Sequence, residues 1–114
     1  MKGMLSSIAG LCVMASFAAL ADCINDSNGK TVCGAGQCEA DLYGKVFCAK
    51  AGGGALRDRY GKVLCGIGRC EIDSHGKIWC SKEPGGGAAR DPVGTVKCLA
   101  GCDEAAAEVC KAAE

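Results

Sequence analysis

Aromatic side chains are scarce in this sequence: one Trp, two Tyr and two Phe among 114 residues. Histidine occurs once, as His75, and proline twice. Neither sign of charge is in excess, with 13 Lys and Arg against 13 Asp and Glu. That balance provides no electrostatic footprint for nucleic acid or an anionic membrane. Branched apolar residues are thin as well. Of the 93 residues after position 21, only 15 are Leu, Ile, Val or Phe. A conventional core draws on more than that, so order in this chain needs another source.

Cysteine and glycine are what the chain has, at 11 and 18 residues. Residues 1–21 carry one Lys near the start, then an uncharged Ala/Leu/Ser-rich run ending Ala19-Leu20-Ala21. This is the layout of a cleaved secretory signal peptide. As a membrane anchor the run from Leu5 to Ala21 is short and weakly apolar, so no membrane span is expected after cleavage. As a lipoprotein signal, Leu20-Ala21-Asp22-Cys23 has Asp22 where a small residue is needed. Cleavage removes Cys12 and leaves ten cysteines, an even number. In an exported chain these are expected as disulfides, which stand in for missing apolar burial.

The pattern Asp-x-x-Gly-Lys-(Val/Ile)-x-Cys recurs five times, at Asp26–Cys33, Asp41–Cys48, Asp58–Cys65, Asp73–Cys80 and Asp91–Cys98, the first with Thr31 in place of Val or Ile and the last with Thr95 in place of Lys. CGAGQCEAD from Cys33 returns as CGIGRCEID from Cys65, and AGGGALRD as PGGGAARD. Each copy predicts a β-hairpin. Asp opens a type I turn by bonding the backbone ahead of it, and Gly closes it in the left-handed conformation. Pro92 stands at the second turn position, where Pro is favoured. The fold class expected is all-β, small and disulfide-rich: short hairpins in a meander or solenoid-like stack over 22–102, with a helical tail over 103–114 capped by Asp103.

Such hairpins place Cys38 opposite Cys48, and by the same ten-residue spacing Cys23 opposite Cys33 and Cys70 opposite Cys80. Cys65 and Cys98 face Ala55 and Ala88, so they pair elsewhere. Cys65, Cys98, Cys102 and Cys110 allow three pairings; equivalence of position favours Cys65–Cys98 with Cys102–Cys110. A bridge from Cys102 to Cys110 then requires the helix to be shorter than its composition suggests.

Residue types that carry chemistry have structural readings here. His75 lies in a turn with no partner group in sequence, so no catalytic residue is expected. Glu39/Asp41 and Glu71/Asp73 are explained by solvated strand and turn positions, not as acid–base pairs. Asp26–Gly29 matches part of an EF-hand loop but lacks its third acidic ligand and terminal Glu. Gly29-Lys30-Thr31 ends like a phosphate-binding loop, yet Ile24 occupies the place of its first Gly. Gly52–Gly54 and Gly85–Gly87 read as flexible links between hairpin pairs more readily than as anion nests. Asn25-Asp26-Ser27 is a glycosylation sequon if the source is eukaryotic. No cofactor is expected.

The other use for so many cysteines is zinc or copper held by thiolates, at Cys33-x4-Cys38, Cys65-x4-Cys70 and Cys98-x3-Cys102. That leaves the ten-residue spacing unexplained. Phe47, Leu64 and Trp79 alternate away from the cysteine face, with Lys45, Lys62 and Lys77 beside them. These six either pack against a second layer or form a basic-aromatic stripe for a protein or carbohydrate partner. The Asp-x-x-Gly-Lys-Val-x-Cys copies, the Cys-Gly-x-Gly-x-Cys links and the Gly-Gly-Gly-Ala segments, over about residues 23–102, resemble those of small, mostly uncharacterised cysteine-rich exported proteins. The resemblance brings no activity and no catalytic residues to carry over. The expected role is structural or partner-binding, without catalysis.

Overall fold

The computed structural model describes residues 22–113; the predicted signal segment and its Cys12 lie outside them. The described chain is all-β. Five antiparallel hairpins follow one another: β1 (Asp22–Asn25) with β2 (Thr31–Gly34), β3 (Cys38–Ala40) with β4 (Val46–Cys48), β5 (Ala55–Arg57) with β6 (Val63–Cys65), β7 (Cys70–Ile72) with β8 (Ile78–Ser81), and β9 (Ala88–Arg90) with β10 (Val96–Cys98).

One turn chemistry sets all five registers. In the second hairpin Asp41 Oδ1 accepts the backbone N–H of Tyr43 at 2.9 Å and of Lys45 at 3.0 Å. Asp26, Asp58, Asp73 and Asp91 each hold the corresponding pair of N–H groups. The closing Gly44 has φ 83° and Gly61 φ 85°, a conformation that a Cβ disfavours. This bulged turn pairs Cys38 with Cys48, Cys70 with Cys80 and Cys23 with Cys33. All three pairs are bridged, with Cα atoms 4.0, 3.9 and 4.0 Å apart, the close approach of facing strand residues.

The hairpins stack face on face. The cysteine side of one hairpin receives the opposite side of the hairpin before it. Ile24 and Val32 of the first pack on Cys38, Val46 and Cys48 of the second. Phe47 of the second packs on Ala55, Val63 and Cys65 of the third. Leu56 and Leu64 of the third pack on Ile78 and Cys80 of the fourth. Val32, Phe47, Leu64 and Trp79 occupy one and the same sequence position, which in the fifth hairpin is Lys97. Lys97 is exposed, and among the described residues no sixth hairpin covers it. Cys23 and Cys33 are exposed too, because no described hairpin precedes the first.

The remaining four cysteines pair differently from the expectation. Cys65 joins Cys110, and Cys98 joins Cys102, each with Cα atoms 5.2 Å apart. The reason is a reversal at Ala100 (φ 65°) and Gly101 (φ 92°), where the Gly101 N–H bonds the Cys98 carbonyl at 3.1 Å. It returns Cys102 to Cys98 and sends the tail back along the stack. Strand β11 (Cys102–Glu104) pairs with β8. Ala106 exchanges backbone hydrogen bonds of 3.0 and 3.1 Å with Cys65. Strand β12 (Lys111–Ala112) pairs with β4. The tail thus straps the fourth, third and second hairpins in that order.

The helix expected over 103–114 is accordingly a strand, one 3-10 turn (Ala107–Val109) and a second strand. An isolated helix of that length is marginal, whereas the open edges of β4, β6 and β8 offer unpaired backbone groups. Asp103, expected as a helix cap, lies in β11 with Lys82 3.9 Å away. The tail's small side chains fill the layers in turn: Ala105 in the third seam, Val109 and Cys110 in the second, Ala113 in the first.

The glycine segments are ladder members, not flexible links or nests. Gly53 accepts from Gln37 (3.1 Å), Gly54 bonds Gly68 (2.7 Å) and Gly66 (3.0 Å), and Gly86 accepts from Arg69 (2.9 Å). Gly53, Gly54 and Gly86 are buried, and the missing side chains let neighbouring backbones meet.

Candidate functional site

The turns form one edge of the stack. Ser27 N–H donates to the Gly44 carbonyl (3.2 Å), Leu42 N–H to Gly61 (2.8 Å) and Ser74 N–H to Gly94 (3.0 Å). At the remaining step the guanidinium of Arg59 donates to the His75 carbonyl. The third residue of each turn therefore stands in a row: Asn28, Tyr43, Tyr60, His75 and Val93. Between consecutive turns lie clefts. The one between the second and third hairpins, about 370 Å³, is lined by Leu42, Tyr43, Phe47, Tyr60, Val63, Ala107 and Cys110, with Asp41 and Lys62. Another of about 370 Å³, between the fourth and fifth, includes Asp73, His75, Trp79, Val93 and Val96.

The six residues singled out from sequence do not make one continuous stripe. Phe47 and Leu64 are half-buried in successive seams. Trp79 is half-buried beside the fifth hairpin. Lys45, Lys62 and Lys77 are exposed. Lys45 Nζ lies 5.2 Å from the Phe47 ring centre and Lys77 Nζ 5.0 Å from that of Trp79. Lys77 also pairs with Glu104 of the strap at 3.5 Å. Tyr43 and Tyr60, which sequence reasoning passed over as turn residues, are the most exposed aromatics, at 84% and 80%. The signal available was that the turn chemistry places no demand on their position.

All ten cysteines of the described chain are in disulfides. Thiolates for zinc or copper would have to come from these same sulfurs. Among the described residues no group of three or more His, Cys, Asp or Glu is placed to hold a metal ion. Five disulfides suit an oxidising compartment. No helix among the described residues is long and apolar enough to cross a membrane.

Asp73 is distinguished from the other turn aspartates. Its Oδ2 accepts the Trp79 indole N–H at 3.0 Å. That bond first, then the backbone N–H groups of Lys77 and His75 and the charge of His75, hold its carboxyl below the usual range against the opposing effect of burial. A depressed folded value adds stability above the unfolded value of ~3.9, and the gain disappears as pH falls through the folded one. In W79F the Asp73 carboxyl is expected to titrate at higher pH. Side-chain carboxyl NMR titrations of both proteins check this. An unchanged Asp73 would remove the indole as the cause.

No family model, no curated protein and no solved structure matches the chain.

Proposed function

We propose that this is an exported, non-enzymatic protein whose hairpin stack, held by disulfides, serves a structural or partner-binding role. One observation carries the reading: the cysteines and the turn aspartates of the described residues are engaged in holding the fold. Ten cysteines are bridged, and the five turn aspartates hold backbone N–H groups. The lone His75 is exposed in a turn and gives its backbone N–H to Asp73. Among the described residues the His75 ring makes no hydrogen bond that would orient it as a base for a nucleophile.

The test uses the chain from residue 22 purified without reductant. Thiol titration is expected to find about zero free thiols, and the mass to lie about 10 Da below the reduced value, one hydrogen per cysteine. Structure is expected to survive a chelator and to be lost in reductant. Hydrolase or redox turnover abolished by changing a single residue overturns the non-enzymatic reading. Unfolding by chelator under oxidising conditions overturns the disulfide-held one.

A further inference from the structure

The turns need only their Asp and Gly. Asn28, His75 and Val93 occupy the same turn position as the two tyrosines, so folding does not demand an aromatic there. Yet both tyrosines of the chain stand on adjacent turns with most of their surface in water, flanking the same cleft. The Leu42–Gly61 backbone bond of 2.8 Å ties those two turns together, and each turn is pinned by its aspartate. The backbone positions that carry the two rings are therefore fixed relative to each other, so ligand binding need not order the turns themselves.

The cleft's volume lies toward the lower end of the roughly 300–1,000 Å³ typical of small-molecule sites. Its floor is apolar, made by Phe47, Val63 and the Cys110 end of the buried disulfide. Its charged groups are one carboxylate and one ammonium, those of Asp41 and Lys62. Asp41 spends Oδ1 on the turn, and among the described residues Oδ2 accepts no hydrogen bond. Lys62 belongs to neither ion pair of the described chain. A site with one charge of each sign favours neither anion nor cation. It offers an acceptor and a donor to a neutral ligand that has hydroxyls at its rim and C–H surface across its face. A protein partner needs about 800 Å² on each side, far more than the opening between two four-residue turns.

We propose that the cleft between the second and third hairpin turns binds a pyranose ring of a neutral saccharide. The ring's C–H face lies against Tyr43 and Tyr60, and its hydroxyls bond Asp41 Oδ2 and Lys62 Nζ. This rests on the partner-binding reading above and gives it a ligand class.

The experiment uses the oxidised chain from residue 22 with cellohexaose, chitohexaose and maltohexaose as probes. Saturation-transfer NMR is expected to label ring protons of at least one, with affinity then measured by titration. Y43A and Y60A are each expected to weaken binding about tenfold or more, and Y60F to retain it; V93A, on a distant turn, should bind as the parent does. Amide spectra confirm that each variant is folded. Absence of transfer to every probe, or binding indifferent to both tyrosines, overturns the cleft. Cleavage of a bound probe instead sinks the non-enzymatic reading, and if the tyrosine variants still lose binding the cleft stands.

Discussion

Replacing Cys65 and Cys110 together by Ala is expected to cost about 4 kcal/mol of stability, the largest loss from removing any one of the five bridges. Bridges stabilise chiefly by restricting the unfolded chain, and the effect grows with the loop closed. Cys65–Cys110 spans a sequence separation of 45, Cys98–Cys102 only 4, and the three hairpin bridges 10 each. The same scaling assigns about 2 kcal/mol to C98A/C102A. Native contacts widen the gap. Cys65 is fully buried, and the tail around Cys110 places Val109 in the second seam and Ala113 in the first. Denaturant unfolding of the two double variants provides the comparison. Equal losses would mean that the strap is held by its strand pairing and not by its bridge.

The second large effect comes from a glycine whose backbone is ordinary. Gly66 does not have a positive φ; it is needed for closeness. A Cβ there would land on Cβ and Sγ of Cys80 and within 3.2 Å of Cys70 Sγ. Gly34 has the same relation to Cys48 and Cys38, so the Cys-Gly dipeptide of each large unit is where one hairpin's end rests on the next bridge. Gly66→Ala is expected to cost about 1–3 kcal/mol through overpacking and to leave a measurable fraction of Cys70 and Cys80 unpaired. Gly87→Ala is the control: nothing lies within 4 Å of its Cβ position, and a change within about 0.5 kcal/mol is expected. Urea midpoints and free-thiol counts read both. Similar behaviour of the two variants would remove close approach as the reason for Gly66.

The hairpins and three of their bridges were legible because they are local. An Asp and a Gly three residues later fix a turn, the turn fixes a register, and the register puts Cys38 opposite Cys48 within eleven residues. The tail was not legible, for the opposite reason. Its Ala-rich composition favours a helix, but its conformation is decided by the edges of β4, β6 and β8, far away in sequence. Cys65 and Cys98 are equivalent positions one large unit apart, which suggested that they meet. The reversal at Ala100–Gly101 uses Cys98 locally and delivers Cys110 to Cys65 instead. Alternation correctly put Phe47, Leu64 and Trp79 on the side of their strands away from the cysteines. It could not reveal that each such side faces the next hairpin, which separates residues that a flat sheet would have aligned. The cleft was hidden for a related reason: Tyr43 and Tyr60 are 17 residues apart, and only the turn-to-turn hydrogen bond makes them neighbours.

The returning strap also imposes an order in time. A chain emerging from its N-terminal side can close Cys23–Cys33 and Cys38–Cys48 as each hairpin appears, because short loops close quickly. Cys65 cannot finish then. Its partner follows 45 residues later, and in the interval Cys70 and Cys80 form their own bridge in the next layer. A thiol destined for the deepest position in the molecule therefore waits while four more cysteines pass, each a possible wrong partner. Correct oxidation of this chain depends on the local hairpins capturing their own cysteines before Cys65 can.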